Sequence, residues 1–251
     1  MGPLRFGSVP YLNARPLLRG LADEVGDVQL AVPGVLSRRL LAGELDVALA
    51  PVVVALDHPE LVLVPAGAVV ARGPVKSVLL FAKCAPQAVQ TVGLDTSSRT
   101  SAALVRVLFA HRWGSCPTFT ERAPDPDLLR LETDAALLIG DPALAAQWNG
   151  PPPIDLGAAW HEWTGLPFVF ATWLACDEQI AARARPFLER AAARGRAALA
   201  EIGHEGAERL GLDADEAIHY LREHLSFVYG DDEARGLARF AELWAQTPRP
   251  V

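Results

Sequence analysis

Thr96-Ser97-Ser98-Arg99-Thr100-Ser101 places a cluster of side-chain hydroxyls around one arginine. Ahead of it, Val92-Gly93-Leu94 is a short apolar run closed by Asp95, which reads as a strand. Behind it, Ser101, Leu104, Val105 and Leu108 recur at the i, i+3, i+4, i+7 spacing of one helix face. A strand, a hydroxyl-rich turn and a helix start together make an anion site. The first N–H groups of a helix have no partner within it, and the positive end of its dipole points the same way. Ser97, Ser98, Thr100 and Ser101 would donate hydrogen bonds to a carboxylate without adding charge. The same residues serve as an ordinary helix cap, since serine and threonine favour that position. The local sequence leaves both readings open.

Two further loops carry polar side chains at the ends of predicted strands. Leu4–Val9 reads as the first strand, and Pro10-Tyr11-Leu12-Asn13-Ala14-Arg15-Pro16 follows it directly. Pro16 suits the first turn of a helix. Tyr11, Asn13 and Arg15 therefore stand at the carboxyl edge of a sheet, where open α/β sheets bind ligands. A plain turn, with Arg15 solvated, is the competing reading. Asp141 follows the buried strand Ala135–Ile139 in Gly140-Asp141-Pro142, where it is either a polar ligand contact or a helix cap.

The elements that must position these loops alternate. A β-α-β-α-β run comes first, through strands at Val28–Val32 and Asp46–Ala50. Strands at Leu61–Pro65, Ala68–Ala71 and Val75–Ala82 follow, then a crossing at Lys83–Gln90. Asp125–Leu131 reads as a short helix, and Phe168–Ala175 as a strand returning to the first lobe. Everything after Asp177 reads as helical, with Pro186 a kink or break, a capping box at Asp213-x-x-Glu216, and a final helix Glu233–Gln246. The fold class is α/β in two lobes, residues 1–84 with 170–251 and residues 85–169.

The chain has 251 residues, 51% hydrophobic and 21% charged, with a net charge of −7. That charge gives no support for a nucleic-acid partner or an anionic membrane, and a bound anion must be held by local groups. Cys84, Cys116 and Cys176 show no CxxC pattern and read as reduced thiols, which fits the cytoplasm. No HExxH, GxGxxG or GKS pattern occurs, so neither a metal nor a cofactor is expected. The first residues lack a leader pattern, and no apolar run is long enough to span a membrane.

Four motifs in order carry a family resemblance: Gly7-Ser8-Val9-Pro10-Tyr11-Leu12-Asn13-Ala14-Arg15-Pro16-Leu17, Asp95-Thr96-Ser97-Ser98-Arg99-Thr100-Ser101, Leu138–Leu144 and Trp163–Ala171. They resemble the chorismate dehydratases of the futalosine route to menaquinone, over most of the chain up to about Ala175. The resemblance implies a type 2 periplasmic-binding-protein architecture with a cleft between lobes. It implies a hydro-lyase that converts the dianion chorismate to 3-[(1-carboxyvinyl)oxy]benzoate and water without a cofactor. On that footing Asn13 is the expected catalytic residue, and Tyr11, Arg15, Ser97, Ser98, Thr100, Ser101 and Asp141 are expected to bind substrate. The oligomeric state stays open between monomer and homodimer. One departure is Pro51-Val52-Val53-Val54, apolar where the family usually carries a hydroxyl. The alternatives are the sister enzyme acting on cyclic dehypoxanthine futalosine, a non-catalytic small-anion-binding protein, and the effector lobes of a transcription regulator.

Overall fold

The computed structural model describes residues 2–248, apart from the side chain of Asp141. Ten strands run in chain order: β1 Phe6–Ser8, β2 Val28–Leu30, β3 Val47–Pro51, β4 Val62–Ala71, β5 Val78–Ala82, β6 Thr91–Asp95, β7 Thr118–Arg122, β8 Ala135–Ile139, β9 Ile154–Asp155 and β10 Phe168–Ala175. They form two five-stranded sheets, ordered β2-β1-β3-β10-β4 and β7-β6-β8-β5-β9.

The first compact unit comprises residues 1–71 and 169–234. Here β1 lies parallel to both β2 and β3, and β10 runs antiparallel to β3. Every residue of β1 and β3 is buried, as expected of parallel strands covered on both faces. Arg5 fixes the start of this pairing: its guanidinium donates to both carboxylate oxygens of Asp46, at 2.7 and 3.0 Å, and its backbone N–H donates to one of them. The chain then leaves the carboxyl end of β1 into a 3-10 turn, Leu12–Leu17.

That turn rests on two long helices. Ala184, Leu188, Ala191 and Ala192 form the buried face of Glu178–Ala197. Gly195 of the same helix lets the Pro16 carbonyl approach so closely that an added Cβ would overlap it. Gly206, in the helix Leu199–Leu210, makes equivalent room for the Leu12 side chain. The loop carrying Asn13 is thus held by close packing at two glycines, against backbone at Gly195 and against a side chain at Gly206.

The second unit comprises residues 72–168 and 235–251. In its sheet β6 is parallel to β7 and β8, while β5 is antiparallel to β8 and β9. The carboxyl ends of β6 and β8 therefore share one edge, from which the helices Arg99–Val107 and Gly140–Leu144 start.

Several sequence expectations need correction. The units divide between Ala71 and Arg72, not at residues 84/85, because β5 pairs with β8 and β9. From Arg235 on, the described residues join the second unit, where Phe240 meets Trp160 and Phe168 edge-on. The two strands expected at 61–65 and 68–71 are one, β4, and residues 52–57 form a helix. No helix forms at 125–131, where Asp125 and Asp127 accept the backbone N–H groups of Asp127 and Leu129 and hold turns instead. Glu178–Ala197 runs unbroken through Pro186. Ala182 and Pro186 are both exposed, so water satisfies the carbonyl that proline leaves unpaired, while the buried alanine face holds the helix.

Alanine is the better helix former, so propensity alone would make Gly195→Ala stabilising. The Pro16 contact reverses the sign. Thermal denaturation should show Gly195→Ala less stable, by about 1–3 kcal/mol, as for other overpacked sites.

Candidate active site

The hydroxyl-rich turn is built around Asp95, the last residue of β6, which is 2% exposed. One of its carboxylate oxygens accepts the Ser97 backbone N–H at 2.8 Å and the Ser97 hydroxyl at 2.5 Å. The other accepts the Ile139 N–H at 3.1 Å. One buried carboxylate therefore ties the end of β6, the turn after it and the end of β8 into a single edge. The backbone completes the frame, with Thr96 N–H donating to the Arg122 carbonyl and Gly140 N–H to the Ser77 carbonyl.

Ser98 is the N-cap of Arg99–Val107: its Oγ accepts the Ser101 N–H at 3.2 Å and donates to the Ser101 hydroxyl at 2.8 Å. The cap reading is thus correct for Ser98. It leaves the positive end of the helix dipole at the turn, which favours a bound anion. The four expected hydroxyls separate by role. Ser97 donates to Asp95, Ser98 caps, and Thr100 and Ser101 are each 1% exposed beneath the turn. A hydroxyl has one proton to give. With the Ser98 proton directed at Ser101, the Ser101 proton is the one left to donate outward.

In the first unit, Asn13 is half-buried on the 3-10 turn, and its amide makes no hydrogen bond among the described residues. Tyr11 is the half-buried N-cap of the same turn. Arg15 pairs with Glu205 at 3.5 Å, and Arg19 pairs with Glu201 and Glu205. Both ends of the Arg15 pair are partly exposed, so the contact braces the loop with little energy. The side chain of Asp141 lies outside the described residues; its backbone belongs to Gly140–Leu144, whose first residue has φ +61. Pro51-Val52-Val53-Val54 is buried throughout, so the departure from the family pattern falls in packed chain.

Sequence reasoning missed two residues. Asp95 was legible only as the end of a strand, because its partner Ile139 lies 44 positions away. Ser8 ends β1 just ahead of the Asn13 turn; it is 0% exposed, and its hydroxyl has no partner among the described residues. Buried polar atoms without a partner are uncommon, which singles out the Ser8 hydroxyl. No group of three or more His, Cys, Asp or Glu side chains among the described residues could hold a metal.

A family model described as menaquinone biosynthesis matches residues 4–246. A chorismate dehydratase of Thermus thermophilus is 34% identical over 264 aligned positions, covering 96% of this chain and 95% of that protein. A second chorismate dehydratase, from Campylobacter jejuni, is 55% identical over 42 residues, 16% of this chain and 19% of that one. Among solved structures, protein AF1704 of Archaeoglobus fulgidus superposes with a TM-score of 0.73 at 14% identity over 97% of both chains. The periplasmic aliphatic sulphonate binding protein SsuA of Escherichia coli gives 0.63 at 17% identity, over 97% of this chain and 86% of that one. At such identities the likeness is one of fold, and it places the chain among periplasmic-binding-protein-like folds.

Asp95→Asn keeps the shape but replaces one acceptor oxygen with an N–H₂, leaving either Ser97 or Ile139 without its partner. Urea unfolding should show a loss of about 1–3 kcal/mol, the usual result of an unsatisfied buried donor. Ser97→Ala, which removes only the half-exposed hydroxyl, should lose less.

Proposed function

The chain belongs to the menaquinone-biosynthesis family, and on that premise we propose that it is a hydro-lyase that converts chorismate to 3-[(1-carboxyvinyl)oxy]benzoate and water. The observation that carries this reading is the end-to-end likeness to the Thermus enzyme, which spans both the Asn13 loop and the hydroxyl turn.

Chorismate is a dianion, with one carboxylate on the ring and one on the enolpyruvyl arm. The reaction removes the ring 4-hydroxyl and the proton on the neighbouring ether-bearing carbon. The electrons of that C–H bond become a ring double bond, and the departing hydroxyl leaves with a proton as water. Aromatisation makes the step downhill. The protein's task is to hold one geometry against competing rearrangements of the same molecule.

The start of Arg99–Val107 anchors one carboxylate through the positive end of its dipole and the Ser101 proton, with Ser98 holding the Ser101 hydroxyl in place. Thr100 and Ser97 shape the turn, and Tyr11 contributes a further substrate contact. Arg15 acts as a brace on Glu205. No His or Glu occupies these motifs, so the substrate's own enolpyruvyl carboxylate takes the proton, with the uncommitted Asn13 amide orienting it. The reading needs no metal or cofactor. A cytoplasmic setting suits the free thiols Cys84, Cys116 and Cys176.

Incubation of the protein with chorismate should yield the carboxyvinyloxy-benzoate and consume the substrate catalytically. Asn13→Ala should keep the fold and lower kcat by about 10²-fold or more, the scale set by removing one aligned donor. Chorismate left intact at enzyme-level concentrations, or turnover of cyclic dehypoxanthine futalosine instead, overturns the proposal. Full activity in Asn13→Ala overturns the role given to Asn13.

A further inference from the structure

A second concave site lies wholly within the second unit, away from the hydroxyl turn. It is a pocket of about 290 Å³ between the last turn of Arg99–Val107 and the amino end of β7. Arg106, Phe109, Pro117, Phe119 and Thr247 form its walls. The Arg106 guanidinium lies 4.2 Å from the centroid of the Phe119 ring. Phe109 meets Phe119 edge-on at 6.0 Å and Trp113 at 4.8 Å, which fixes the aromatic wall.

Two of the hydroxyls around this pocket are already engaged, while the Thr118 hydroxyl and the Cys116 thiol lie on its exposed rim. The Thr247 hydroxyl donates to the Leu243 carbonyl at 2.8 Å and contacts His111 Nε2 at 3.1 Å. The Ser115 hydroxyl donates to the Pro86 carbonyl. Arg106 has no ion pair and no hydrogen bond among the described residues. It is half-buried, and burial lowers its pKa with no carboxylate to offset the effect. A cation near a helix carboxyl end gains from the dipole, which accounts for an arginine on the surface but not for one laid along a pocket wall over an aromatic ring. A partly desolvated cation with no counter-charge among the described residues is a fitting partner for an anion.

From this juxtaposition we propose that the pocket is a second ligand site, for a small aromatic carboxylate whose carboxylate pairs with Arg106 and whose ring packs against Phe109, Pro117 and Phe119. The volume is at the lower end for small-molecule pockets, right for a single ring. The apolar walls select against inorganic anions, which carry the charge without a surface to bury. The protein's charge of −7 repels anions in general, so the site depends on its one guanidinium. The inference stands apart from the proposed reaction.

The test is a fluorine NMR titration of the full chain with 4-fluorobenzoate. The expected result is saturable binding that equimolar inorganic phosphate does not displace. Binding should persist in Ser98→Ala, weaken at least tenfold in Arg106→Gln, and be partly kept in Arg106→Lys. Thr118→Glu sets a carboxylate on the exposed rim and should abolish binding whether or not Arg106→Gln folds well. Wild-type affinity in Arg106→Gln or in Thr118→Glu, loss in Ser98→Ala alone, or no binding to the wild type overturns the proposal.

Discussion

The carboxylate of Asp95 organises the hydroxyl turn. It is buried at the end of β6, and its two oxygens take three donors from two chain segments: the N–H and hydroxyl of Ser97, and the N–H of Ile139. A buried carboxylate is tolerated when its lone pairs are satisfied in this way, and it then becomes costly to disturb. The consequence is geometric. The turn after β6 cannot drift from the end of β8, so the first N–H groups of Arg99–Val107 keep a fixed direction. Preorganised donors of that kind stabilise a bound anion without reorganising when it arrives. The serine-rich composition is secondary to this, since Ser98 caps the helix, Ser97 serves Asp95, and Thr100 and Ser101 are buried.

The Asn13 loop is fixed by a different means. No buried charge holds it. The Leu12–Leu17 turn sits on Gly195 and Gly206, with Arg15 and Arg19 paired to Glu205 and Glu201 at its rim. Close packing supplies the precision and the ion pairs add little. Asn13 is left half-buried with its amide uncommitted among the described residues, in keeping with the substrate-orienting role proposed for it.

How much of this was legible in the sequence follows from how local each cause is. The Ser98 cap and the Asp213 cap on Glu216 N–H depend on contacts within three residues; the Asp213 cap was legible, and at the hydroxyl turn a cap was one of two open readings. The roles of Asp95 and Arg15 depend on partners 44 and 190 positions away and were not legible. The apolar run of β5 marks a strand but not the sheet it joins, so the boundary between units was drawn thirteen residues late. The two aspartates at 125 and 127 look like a helix start, yet their side chains take local backbone donors and hold turns. Pro186 looked like a break because its exposure, which makes the lost hydrogen bond harmless, is a tertiary fact. The family motifs were readable since each is a contiguous loop at a strand end.

The central proposal is that the Asp95-organised helix start receives a carboxylate of chorismate and that Asn13 addresses the enolpyruvyl end. A crystal structure of Asn13→Ala with chorismate trapped in it measures this directly. The expected result is one carboxylate within about 2.7–3.1 Å of the Ser98–Ser101 donors, with the enolpyruvyl arm at position 13. Chorismate bound elsewhere, or with its carboxylate on Arg15 and the helix start empty, would contradict the account.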